Sequence, residues 1–115
     1  MKKLFLILLL AAPAILLNAQ TATVKWYSIE EAAALAKSDP RPIFVDAYTD
    51  WCGWCKKLDK DTFSNPVIAE ILNTKYYAVK FDAEGSEPVT FQGRKFVNDG
   101  SLGKTHQLAY ALLQG

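Results

Sequence analysis

Cysteine is nearly absent from this 115-residue chain, which has two, Cys52 and Cys55, alongside a single histidine, His106. A zinc site of the usual four-ligand kind is disfavoured, because two thiols and one distant imidazole leave the ligand set short. Neither sign of charge is in excess: thirteen basic residues stand against twelve acidic ones, a net charge of +1. Nothing in that balance points to nucleic acid or to an acidic membrane surface. Internal repeats and low-complexity linkers are also lacking, and the one long apolar run lies at the N-terminus.

That run, Leu4–Leu17, follows the basic Met1-Lys2-Lys3 and is interrupted only by Pro13. Leu17-Asn18-Ala19 before Gln20 offers a small residue at a cleavage position. The segment has the layout of a secretory signal peptide and is too short for a comfortable span of ~20 residues. Residues 1–19 are therefore expected to be a signal peptide and 20–115 one small domain. The expected location is outside the cytoplasm, most simply the bacterial periplasm, with an uncleaved membrane anchor as the minor alternative. Cleavage would leave eleven basic and twelve acidic residues, a net charge of −1. Disulfides are made and exchanged in such a compartment.

The chain's entire thiol content sits in Cys52-Gly53-Trp54-Cys55. Thiols spaced i, i+3 can close a disulfide within one helical turn. Ile43–Tyr48, β-branched and aromatic, leads through Thr49-Asp50-Trp51 into this tetrad, and a helical pattern follows. A cysteine at a helix N-terminus faces unpaired N–H groups and the positive end of the macrodipole, which stabilise its thiolate. Cys52 is thus the expected nucleophile and Cys55 the resolving thiol, with Lys56 adding weak positive charge. A purely structural disulfide is the bland reading, but so short a loop constrains the unfolded chain little.

The remaining pattern is α/β. Thr23–Tyr27 reads as a short strand. Ser28-Ile29-Glu30-Glu31 is a capping box opening a helix through Lys37, ended by Pro40 and Pro42. Ile43–Tyr48 reads as a strand buried on both faces. A helix from the tetrad to about Thr62 should turn Leu58 inward. Asn65 and Pro66 open another over Val67–Asn73, with Val67, Ile68, Ile71 and Leu72 inward. Tyr76–Asp82 is the next strand, and the β-α-β-α-β order implies a parallel sheet. Residues 89–91 and 94–96 flank Gln92-Gly93 as a hairpin, and Asn98-Asp99-Gly100 is a turn. Thr105 caps a last helix, His106–Gln114, with Leu108, Leu112 and Ala111 inward. His106, alone at the helix start, is read as a surface or capping residue.

Residues 45–56 resemble the active-site strand and loop of the thioredoxin superfamily. Together with Thr62–Val67, they look most like a branch that includes the C-terminal domain of the bacterial transmembrane thiol-disulfide interchange reductase. The resemblance covers roughly residues 42–84. It implies a three-layer thioredoxin-like sandwich with a buried aspartate beneath the resolving cysteine, matched by Asp46. It also implies a lysine on the neighbouring parallel strand, matched by Lys80. A carboxylate buried in an apolar strand titrates high and can accept the resolving thiol's proton. The alternatives are that Asp46 is a hydrogen-bonded strand residue and Lys80 a solvated one.

Two features depart from the family. Trp54 stands where thioredoxins proper have proline, leaving the redox direction open; it serves either to dock a partner or as a hydrophobic cover. No proline follows the last helix, where the family places a cis-proline loop, a β-hairpin and a final helix. The sequence thus reads as C-terminally truncated, with Ile43–Tyr48 as an open sheet edge. Pro88, or the 89–96 hairpin folded back as a replacement edge, is the alternative. The expected activity is thiol-disulfide exchange with protein thiols and disulfides, needing no metal or organic cofactor. A membrane or soluble thiol donor would recharge it, and Trp51, Gly53 and Trp54 would frame the site. A non-catalytic binding module or inactive fragment is the competing reading.

Overall fold

A computed structural model describes residues 21–114; the expected signal peptide lies outside them. The chain folds as β1 (Trp26–Tyr27), α1 (Ile29–Ser38), β2 (Ile43–Tyr48), α2 (Gly53–Asp61), α3 (Pro66–Lys75), β3 (Tyr77–Asp82), β4 (Val89–Phe91), β5 (Arg94–Phe96) and α4 (Gln107–Leu113). Parallel strands in the order β1-β3-β2 form one sheet, and β4-β5 form a separate antiparallel pair. The architecture is the thioredoxin-like α/β fold that the sequence suggests. Among the described residues, no helix is long and apolar enough to cross a membrane.

Local chemistry explains most of the boundaries. The Ser28 side chain accepts the Glu31 N–H at 3.1 Å, and the Ser28 N–H donates to Glu31 Oε2 at 3.0 Å, a closed capping box. Asn65 Oδ1 accepts the Val67 N–H at 2.9 Å, with Pro66 in the first turn of α3 where its missing N–H costs nothing. Between β4 and β5, Gln92 and Gly93 both have positive φ, 51° and 75°, as a two-residue hairpin turn requires.

The two faces of the sheet pack differently because side chains alternate along each strand. Tyr77, Val79 and Phe81 join Ile29, Ala32, Phe96, Leu108 and Ala109 in the core under α1, the hairpin and α4. The opposite face carries Phe44, Asp46, Tyr48 and Lys80, beneath the segment containing α2 and α3. There Phe63 stacks edge-on against Trp26 and Phe44 at 5.2 and 6.0 Å.

Several burial expectations are corrected. β2 is not buried on both faces: Asp46 is its one buried residue, and the others are half-buried because, among the described residues, β2 pairs only with β3. Leu58, Val67 and Ile71 are exposed, and Ala69 and Leu72 carry the inner face of α3. These helices cover a narrow three-stranded sheet, which leaves part of each apolar stripe without a partner. On α4, Leu112 and Ala111 are exposed while Ala109 and Leu108 are buried. His106, not Thr105, is its cap.

The 86–104 region is not a substitute edge. Its hairpin lies on α1, with Glu30 Oε1 accepting the Thr90 N–H at 3.0 Å and Phe96 in the core. The hairpin makes no ladder with β2, and no peptide among the described residues, that before Pro88 included, is cis.

Candidate active site

Cys52 and Cys55 are joined as a disulfide at the start of α2, with Cα atoms 5.3 Å apart. Cys52 is the N-cap, and its sulfur accepts the Cys55 N–H at 3.1 Å. A thiolate at this position would keep that bond and gain the helix dipole. No acidic residue in the first turn opposes it. The Cys52 N–H is held in turn by the Thr49 carbonyl at 3.3 Å. Both sulfur residues are half-buried rather than one exposed and one enclosed.

The tryptophans on either side project into solvent, Trp51 with 74% and Trp54 with 77% of its surface exposed. Trp51 is nevertheless oriented, because its indole N–H donates to Glu84 Oε2 at 3.0 Å. Beside it opens a hollow of about 460 Å³ walled by Thr49, Ala83, Tyr110 and Leu113. Thr49 Oγ1, on that wall, is buried and unpartnered among the described residues. Trp54 lies over a smaller depression with Leu58 and Thr62. Gly53 frames the site without crowding it, since a Cβ there would meet nothing within 4 Å. Lys56 is exposed and bonds to no side chain among the described residues.

Beneath the helix the strands bring Asp46 and Lys80 together as direct partners in the β2–β3 register. Lys80 Nζ lies 3.3 Å from Asp46 Oδ2 and also bonds Asp59 Oδ1 on α2. Asp46 is only 8% exposed. The ammonium further faces the rings of Trp26, Tyr48 and Phe63 at 4.9, 5.4 and 5.8 Å. Lys80 is therefore the partner of Asp46 and not a solvated strand residue. Burial alone would lower its pKa, but hydrogen bonds to Asp59 and Asp46 outweigh that and hold it above the ordinary 10.5.

A group whose folded pKa is raised contributes stability below its unfolded value and loses it as pH rises through the folded one. Thermal stability should thus fall above about pH 10.5, with burial-raised Tyr48 and Tyr77 adding to the fall. Lys80→Met should flatten that alkaline decline in melting curves. An equally steep decline in the variant would mean that Lys80 does not contribute to it.

A family model described as Thioredox_DsbH, protein of unknown function, DUF255, matches residues 7–91. The chain belongs to this thioredoxin-like family. Over 62 residues the chain is 39% identical to the thiol:disulfide interchange protein DsbD of Klebsiella pneumoniae, covering 53% of this chain and 10% of that protein. It is 37% identical over 62 residues to the uncharacterized protein B0495.5 of Caenorhabditis elegans, 53% of this chain and 8% of that one. It is 32% identical over 81 residues to spermatogenesis-associated protein 20 of Rattus norvegicus, 70% of this chain and 10% of that one. The match thus spans about a tenth of these relatives' length. A solved DsbH oxidoreductase shares the fold with a TM-score of 0.50 at 22% identity, over 66% of this chain and 65% of that one.

Sequence reasoning missed three contributors. Asp59 lies four residues beyond Cys55, so helical periodicity aims it near the face that holds Cys55. Glu84, just past β3, orients Trp51. His106 caps α4, one of the two roles the sequence offers it, but it is fully buried and not at the surface. Only the Asp59 spacing was available as a signal in the sequence.

Proposed function

We propose that this chain is an exported thiol-disulfide oxidoreductase acting on proteins. The reading rests on one observation above all: a CxxC disulfide at a helix N-terminus, reached from the strand that carries the buried carboxylate of Asp46. In the reductive direction the Cys52 thiolate attacks a substrate disulfide, forming a mixed disulfide and expelling one substrate thiolate. Cys55 then attacks Cys52 Sγ, its proton passing to Asp46, and the second substrate thiolate leaves. Two electrons have moved to the substrate and the Cys52–Cys55 bond has re-formed. A membrane or soluble thiol donor would reduce the pair again. Substrates are taken to be proteins because the disulfide is flanked in sequence by two exposed indoles, and Trp51 borders an open hollow.

Cys52→Ser should abolish reduction of a disulfide-bonded reporter protein while leaving the melting temperature of the reduced chain unchanged. Exchange that survived in Cys52→Ser would sink the assignment. The exposed Trp54 surface supports a docking module as the second reading, for which partner capture would persist in that variant.

A further inference from the structure

Lys80 is held between two carboxylates of different character. Asp46 is buried on β2, and among the described residues Lys80 is its one side-chain partner. Asp59 is 44% exposed and rides on α2, one turn beyond Cys55. Three aromatic rings from β1, β2 and the α2–α3 link confine the ammonium from other sides. A charge fixed in such a cage cannot move far, so what one carboxylate gains from it the other gives up. A carboxylate fully engaged by an ammonium is a poor proton acceptor, and one that shares the ammonium with a second carboxylate is a better one.

We infer that Asp59 is a positioning residue that draws the Lys80 ammonium away from Asp46, leaving Asp46 free to take the proton of Cys55. The inference rests on the exchange reading and adds a regulator of its second step. Asp59 also couples α2 to that step, since the carboxylate moves with the helix carrying both cysteines.

The two steps separate when the reduced full chain meets 5,5′-dithiobis(2-nitrobenzoate). Cys52 attacks the reagent, joining to one thionitrobenzoate and expelling the other. Cys55 then attacks Cys52 Sγ, gives its proton to Asp46 and expels the second thionitrobenzoate in a unimolecular phase. Asp59→Asn should slow that second phase about fivefold, a fraction of what proton-transfer catalysis contributes. Asp59→Glu should restore it. In a Lys80→Met background, Asp59→Asn should have no effect, because the ammonium through which it acts is gone. Lys80→Gln provides a second such background if the methionine variant does not fold.

Slowing that persists without Lys80 would mean Asp59 acts on the thiols directly and would overturn the inference. So would an unchanged or faster second phase in Asp59→Asn. A wild-type chain with no second phase would instead remove the exchange reading, and the inference with it.

Discussion

Asp46→Asn is expected to slow the resolving step about a hundredfold at neutral pH, the lower range for losing a positioned acid–base group. The amide keeps the size of the carboxylate and can still accept from Lys80, so the loss is chemical and not one of packing. Formation of the mixed disulfide on Cys52 should change no more than a few-fold, because that thiolate is held by the N-terminus of α2. Stopped-flow measurement of both phases checks the split. A variant that resolves at the wild-type rate would show Asp46 to be a strand residue whose burial serves the sheet alone. Removing the negative charge also leaves Lys80 with Asp59 as its one charged partner, so a modest loss of stability should accompany the kinetic one.

His106→Ala is expected to have the largest effect on folding, about 3 kcal/mol, from lost hydrogen bonds and a cavity in the core. The imidazole is fully buried. Its Nδ1 accepts the Leu108 N–H at 3.1 Å, capping α4, while Nε2 meets the Glu87 carbonyl at 3.0 Å. That geometry assigns the proton to Nε2. The ring also stands edge-on to Phe81, centroids 5.1 Å apart. Truncation strands a buried donor and an acceptor together, and for a domain of this size the melting temperature should drop by roughly 15 °C. His106→Asn should recover part of the loss, since asparagine caps helices well but leaves the Glu87 carbonyl without its donor. Equal melting of the alanine variant and the wild type would show that the 86–89 segment and α4 do not depend on this tie.

The elements that were legible in advance are those specified by local chemistry. Ser28 with Glu31, Asn65 with Pro66, and Gln92-Gly93 fix their backbone through neighbours a few residues away, and each occurs where the sequence places it. Cys52 at a helix N-terminus is legible in the strand, loop and helix pattern around the tetrad, and the Asp46–Lys80 pairing through a resemblance spanning both strands. Burial was not, because it depends on what the sheet lacks as much as on what it contains. Ile43–Tyr48 reads as a doubly buried strand, yet with a partner on one side only among the described residues it stays half-buried. The helical stripes of Val67 and Ile71 were read as inward by the same reasoning and outrun the three strands beneath them. His106 escaped notice as a core residue because its polar atoms are satisfied by Leu108 and Glu87, contacts that depend on the fold.

The pairing of Asp46 with Lys80 also bears on how β2 finds its place. An edge strand with apolar side chains on both faces has little in its pattern to tell one alignment from the next. Shifting such a strand by a single residue turns every side chain over. Asp46 would then point toward Val79 and Phe81 and the core beneath α1, a carboxylate in hydrocarbon with no cation in reach. The observed alignment instead sets it opposite Lys80, with Val45 opposite Val79 on the apolar side. The Asp46–Lys80 pair thus acts as a registration mark, penalising misaligned sheets that hydrophobicity alone would accept.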